Sequence, residues 1–393
     1  MYTAEITKGI DLHIFSTKKF QTVSLCLLLR TPLDRTTVTA NSLLARSILK
    51  GCSVYKTKRA IEIRLEEINA SISANVLKKG EEHIIQMYCK CTPTYIEETI
   101  ELLGDILLKP LFNNMDTSKS DLESTINSLI NDKRSYALEK CIEAMCEKEP
   151  YGINGDGYIE DINNVSIHSH YTNVIENAKV EIIAIGDINE AELTEYIKKY
   201  IPLSPRDTHL EPCNYLYYPA SEKQLSENMD ITQGKLCVGF RMNINPVGDD
   251  WYRAIVANEL FGGSASSALF SEARESKSLC YYISSKLLRF KSLMIIEAGI
   301  DSENRDKVIE IIRSAFENIS EENIEIAKQN IINGYRTAQD KPERIMDALL
   351  GGLIAGKVMS FDDIIKEISD VTTIKDVFHD SYLDTVYMLG GKQ

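Results

Sequence analysis

The chain has 393 residues, 44% of them apolar and 26% charged, which is the composition of a folded protein too long for one ordinary core; about 150 residues per domain predicts two or three domains. A formal net charge of −14 argues against a nucleic-acid partner, because binding phosphates requires a concentrated basic surface. Nine cysteines, odd in number and without a CxxC pair, predict reduced thiols and a cytoplasmic protein, and neither a signal-peptide pattern nor an apolar run of the ~20 residues that span a bilayer points to a membrane.

Periodicity predicts strands at 11–17 (DLHIFST) and 22–30 (TVSLCLLLR), then a helix over 36–51 (TTVTANSLLARSILKG) closed by Gly51 as a left-handed cap. A charged helix at 57–70, strands at 71–77 and 82–91, and two long helical stretches at 93–110 and 121–148 follow. A strand at 179–188 and a helix complete a first half near residue 202. Residues 203–230 hold three prolines and many polar side chains and read as a linker. The order then repeats: a strand at 235–244, helices at 251–263 and 266–276, strands at 280–288 and 293–300, long helices at 302–319 and 321–339, more helix, and a last strand near 385–391. The repeat predicts an α+β fold of two tandem duplicated domains, each an antiparallel-rich sheet with helices on one face: residues 1–202, the linker 203–230, and residues 231–393.

The ordinary catalytic patterns are missing. No two of the six histidines (His13, His83, His168, His170, His209, His379) stand at i, i+4, the helical spacing at which paired imidazoles grip zinc. His168 and His170 read as surface residues, and His83 stands at a strand entrance. There is no G-x-S-x-G elbow and no P-loop, and the carboxylate pairs Glu66-Glu67, Glu97-Glu98 and Glu321-Glu322 read as solvated helix faces. Taken alone, Arg274 and Tyr281 are a surface arginine and a core tyrosine.

Their surroundings say more. Residues 269–285, LFSEARESKSLCYYISS, are similar to the second-domain signature of the insulinase/pitrilysin zinc peptidases, which include the mitochondrial processing peptidases. Leu269, Phe270, Arg274, Glu275, Leu279, Tyr281 and Ser284 or Ser285 match it, with FGG (261–263) in the matching turn; Ala273, Ser278 and Cys280 depart from it. The resemblance implies a clamshell-type peptidase fold in which Arg274 and Tyr281 grip the substrate. A guanidinium fork and a phenol are the donors that peptide carbonyls, and charge developing on one of them, would need.

The family's first domain carries His-x-x-Glu-His on a helix, followed by Lys-Gly. Anchoring on Lys50-Gly51 puts Ser42 and Arg46 where the histidines belong and Ala45 where the general-base glutamate belongs. Serine is a poor zinc ligand, alanine takes no proton from water, and a guanidinium repels a divalent cation. For the family's third ligand, Glu123 is the only glutamate in its stretch and Ser128 or Leu129 lies nearer the place, so no metal ligand and no cofactor are assigned to this chain. Residues 130–157 also look like the zinc-less branch of the family found in low-G+C Gram-positive bacteria.

The resemblance thus implies a non-catalytic, substrate-binding subunit of a heterodimeric zinc metallopeptidase. A zinc-bearing paralogous subunit would supply metal, water and base, and an extended peptide or unfolded polypeptide would bind partly by strand addition to an exposed sheet edge. The chain alone is expected to cleave nothing. The alternatives are a structural or assembly protein of the same fold, like the non-proteolytic core proteins of the respiratory bc1 complex, and an active hydrolase with unorthodox metal ligands. Formation of a homodimer is left open.

Overall fold

The computed structural model describes residues 2–217 and 221–391. In chain order its elements begin with β1 (Tyr2–Thr7), β2 (Ile10–Ser16), β3 (Val23–Pro32), α1 (Val38–Ser47), α2 (Lys58–Glu67), β4 (Ser71–Lys79) and β5 (Glu82–Cys91). There follow α3 (Ile96–Leu108), α4 (Met115–Asn131), α5 (Lys133–Met145), α6 (Ile167–Asn177), β6 (Lys179–Gly186), α7 (Glu190–Tyr200), β7 (Lys223–Met229), β8 (Gly234–Arg241) and α8 (Asp249–Asn258). The last are β9 (Cys280–Leu288), β10 (Leu293–Ile300), α9 (Arg305–Glu317), α10 (Ile324–Ala338), α11 (Pro342–Ala355), α12 (Phe361–Asp370) and β11 (Tyr382–Gly391). Among the described residues no helix is long and apolar enough to cross a membrane.

The chain forms two compact units, and each is assembled from separate stretches of sequence. The first comprises residues 1–128, 153–211 and 341–350. Its sheet runs β1-β2-β6-β3-β5-β4, with β2 and β6 parallel and the other neighbours antiparallel. Alternate residues of the strands (Leu12, Leu25, Leu27, Ile85, Met87, Ile182) meet Leu43, Leu44 and Ile48 of the α1 region and Leu103, Ile106 and Leu107 of α3 in one core. This period-two burial is what holds the register, because a slip of one residue would turn the apolar set away from the helices. Helix α2 starts where the Thr57 hydroxyl accepts the backbone N–H of Ala60. Gly51 is not the left-handed cap expected of it: its φ is +153° and its ψ 156°. Glycine is needed there all the same, because a Cβ would sit 2.7 Å from the Lys56 carbonyl oxygen.

The second unit comprises residues 129–152, 212–340 and 351–393. Its sheet runs β7-β11-β8-β10-β9, with β7 and β11 parallel and the rest antiparallel. Matching β7 to β2, β11 to β6, β8 to β3, β10 to β5 and β9 to β4 reproduces every pairing of the first sheet except β1–β2, which supports duplication of one α+β unit. A buried ion pair repeats with it. Arg30 on β3 lies opposite Lys179 and binds Glu181, two residues further along β6, at 2.8 Å. Arg241 on β8 lies opposite Tyr382 and binds Asp384, two residues further along β11, at 2.8 Å. Each arginine also holds a second acid, Glu82 at 2.7 Å and Glu149 at 2.6 Å.

Two features differ from the contiguous boundaries read in the sequence. The stretch 203–230 contains strand β7. Each unit also includes a segment from the opposite half of the chain: α5 belongs to the second unit and residues 341–350 to the first. The reason is that a sheet has two faces and the helix layer covers one. On the other face of the second sheet, Cys237, Leu293, Ile295, Tyr387 and Leu389 are apolar and need cover, which Ala137, Cys141, Ile142 and Met145 of α5 provide.

Candidate functional site

The helix face at the would-be metal positions is covered by the chain's own loop 153–158. The Ser42 hydroxyl donates to the Gly155 carbonyl at 3.2 Å, and Arg46 Nη1 donates to the Ser42 carbonyl at 3.1 Å. Arg46 Nη2 stands 3.7 Å from Asp156 Oδ1. Ala45 is buried among core side chains. The Thr39 hydroxyl accepts the Tyr158 N–H at 3.0 Å, Lys78 Nζ donates to the Ile153 carbonyl at 3.1 Å, and the Arg35 guanidinium lies 3.5 Å from the centre of the Tyr158 ring. Gly157, at φ +93°, lets the loop come this close: a Cβ would sit 2.6 Å from Thr39 Cα.

These residues do not fit zinc. A serine hydroxyl engaged as a donor, a methyl group in the core and a cation beside Asp156 offer no tetrahedral N, S or O donor set. Glu123 and Ser128 are exposed on α4, and Ser128 bonds the Thr125 carbonyl of its own helix. Among the described residues no group of three His, Cys, Asp or Glu side chains is placed to hold a metal ion.

Behind this face runs a buried polar chain that the sequence did not reveal. His170 Nε2 and Asn41 Oδ1 are 2.8 Å apart, Asn41 Nδ2 lies 3.0 Å from His83 Nδ1, and it also donates to the Thr31 hydroxyl at 3.2 Å. With the amide in this orientation, His170 donates through Nε2 and His83 accepts through Nδ1, so His83 carries its proton on Nε2. That nitrogen makes no hydrogen bond of good geometry. Burial pushes the pKa of His83 down to about 4; the nearby Gly155 backbone acts weakly the other way, and Lys78 and His170 add to the lowering. Burial also lowers that of His170. His83 stands at the entrance of β5, as read, and is wholly inside; His170, read as a surface residue, is half-buried on α6, while His168 is exposed with its ring edge against Phe112. The available signal was Asn41, an amide in the first turns of α1.

In the second unit, residues 270–276 form a π-helical turn that delivers the chain to β9. The Ser278 N–H donates to the Arg274 carbonyl at 3.2 Å and the Leu279 N–H to the Ala273 carbonyl at 2.9 Å, while Leu269 and Ala273 anchor the turn in the core. The Arg274 side chain is exposed, with its guanidinium 4.7 Å from the centre of the Phe270 ring. It is near enough to Cys280 to oppose the burial that raises that thiol's pKa. Tyr281 is 58% exposed, and its hydroxyl reaches Asp301 Oδ1 only at 3.3 Å. The FGG turn is held by Ser285, whose hydroxyl donates to Asn258 Oδ1 at 2.7 Å and would lie 2.6 Å from a Cβ on Gly262. Both side chains singled out by the signature therefore stand on the surface of one turn-and-strand unit, and neither is committed to a strong internal partner.

The chain is similar to several known proteins. Residues 161–331 match the family model described as the peptidase M16 inactive domain. The chain is 27% identical to the probable inactive metalloprotease YmfF of Bacillus subtilis (strain 168), over 98% of this chain and 96% of that protein. The crystal structure of a conserved protein from Enterococcus faecalis V583 superposes with a TM-score of 0.92 at 25% identity, covering 100% of this chain and 98% of that one. The peptidase M16 inactive domain from Pseudomonas fluorescens has the same fold, with a TM-score of 0.82 at 14% identity over 100% of this chain and 98% of that one. The Arg274–Tyr281 signature, the duplicated α+β units and these likenesses agree with one another, and the family they point to is that of the M16 peptidases, the insulinase/pitrilysin group, which this chain resembles over its whole length.

Proposed function

We propose that this chain is a non-catalytic, peptide-binding subunit that works with a zinc-bearing paralogue. The observation that carries the reading is the contrast between two places. The three positions that need metal ligands and a base hold a hydroxyl, a methyl and a cation beneath the chain's own loop. Arg274 and Tyr281, the donors suited to peptide carbonyls, remain exposed and weakly engaged. Strand β4 ends the order of the first sheet, so its outer side is where an extended peptide would add as a further strand. The similarity to a probable inactive metalloprotease supports the same reading.

The isolated chain is expected to cleave no peptide, with or without added zinc. Mixed with the paralogue it is expected to raise peptidase activity, and Arg274→Ala or Tyr281→Phe should reduce that gain about tenfold or more, as loss of a donor to developing charge does. Equal activity of the paralogue with and without this chain would refute the paired-enzyme reading. An unchanged gain with Arg274→Ala would remove the grip from it.

A further inference from the structure

On the face of the first sheet away from its main helix layer, a cavity of about 430 Å³ opens beside β4. Ile72, Ala74 and Val76 of β4 pack into the core, so Ser73, Asn75 and Leu77 turn to the opposite face and line this cavity. Its floor is Leu28, Leu77, Met346 and Leu350, the last two from the 341–350 segment of the same unit. Both acids at its wall, Glu343 and Asp347, are engaged by neighbouring side chains. The Tyr88 hydroxyl donates to Glu343 at 3.0 Å and lies 3.0 Å from the Ser24 hydroxyl, Lys79 binds Asp347, and Gln86 donates to Cys26 Sγ at 3.1 Å. Burial pushes the Tyr88 pKa up to about 12, so the phenol keeps its proton and its bond to Glu343 through the neutral range.

An extended peptide added to the outer edge of β4, the last strand in the sheet's order, would run about 4.8 Å from it and send alternate side chains to this face, directly beside Ser73, Asn75 and Leu77. Because its acids have partners and Arg344 would repel a cation, the cavity offers a guest the apolar surface of Leu28, Leu77, Met346 and Leu350 and no free counter-charge for a cationic side chain. We infer that this cavity is a side-chain pocket that selects extended peptides carrying a bulky apolar residue at the position facing it. The inference rests on the peptide-binding reading above and adds its substrate class.

The test is a fluorescence-anisotropy titration of the full chain with dye-labelled peptides Ser-Thr-Ser-Thr-Xaa-Thr-Ser-Thr-Ser, where Xaa is leucine, alanine or lysine. The leucine peptide is expected to bind about tenfold more tightly than the alanine peptide, and the lysine peptide no better than alanine. Asn75→Trp fills the cavity from an exposed strand position that suits an aromatic residue, and Ser73→Trp does so from the neighbouring site. In either variant the preference for the leucine peptide over the alanine peptide should be lost. Equal binding of leucine and alanine peptides by the wild type, or a preference that survives both fillings, overturns the pocket and leaves peptide binding standing. Binding of none of the peptides overturns the peptide-binding reading, and the pocket with it.

Discussion

Titration of His83 offers a direct check on the buried chain behind α1. In the folded protein burial holds its pKa near 4, against about 6.5 in an unfolded chain. The folded-state value is depressed, so between these limits the unfolded chain binds a proton that the folded one does not. Stability from this group is therefore complete above about pH 6.5 and is lost as pH falls toward 4, at about 1.4 kcal/mol per pH unit. Over the two units down to about pH 4.5 the loss is about 2.5 kcal/mol. Protonation also places an N–H on the nitrogen that now accepts from Asn41, which adds to the cost. Urea unfolding of the wild type and of His83→Gln at about pH 7.5 and about pH 4.5 measures the effect as a difference of differences. The glutamine keeps a polar group beside Asn41 but cannot titrate, so its stability should fall by about 2.5 kcal/mol less over that interval. If the two proteins lose the same stability within about 0.5 kcal/mol, the burial argument for His83 is wrong.

Three further outcomes are expected. Gly157→Ala forces a side chain into a positive-φ position and against the Thr39 backbone, and should cost about 2–4 kcal/mol in denaturant unfolding, with faster hydrogen exchange in residues 153–158. Arg30→Met leaves Glu82 and Glu181 buried without their guanidinium and should cost about 3–5 kcal/mol; Arg241→Met, its counterpart in the second unit, should cost a similar amount, so a small effect at both would mean the repeated ion pair is incidental. The triple change Ser42→His, Ala45→Glu, Arg46→His should not yield one tightly held zinc per chain in metal analysis after zinc loading. Position 45 is in the core, and the loop at 155–156 occupies the side of the helix that the ligands would need.

Much of the fold is legible in the sequence because it depends on local pattern. Strands β5, β9 and β10 lie within the predicted bounds, since their apolar and β-branched runs are bounded by turns. The polar edge strands β1 and β7 were not, because an edge strand needs only one neighbour and carries few buried side chains to mark it. Helix α6 also escaped: His168 and His170 interrupt its apolar period, yet Ile167 and Val174 bury its inner face.

The amino-acid order by itself determined the repeated order of elements, the Arg274–Tyr281 signature and the absence of metal-binding side chains at 42, 45 and 46, because each is a matter of residue type at a given spacing. Tertiary structure alone decided that α5 covers the second sheet and that residues 341–350 face the first, that Asn41 joins His83 to His170 across 129 residues of chain, and that loop 153–158 lies over α1. Those contacts join segments far apart in sequence, and spacing along a chain carries no record of which distant partner will satisfy a buried polar group or cover an apolar sheet face.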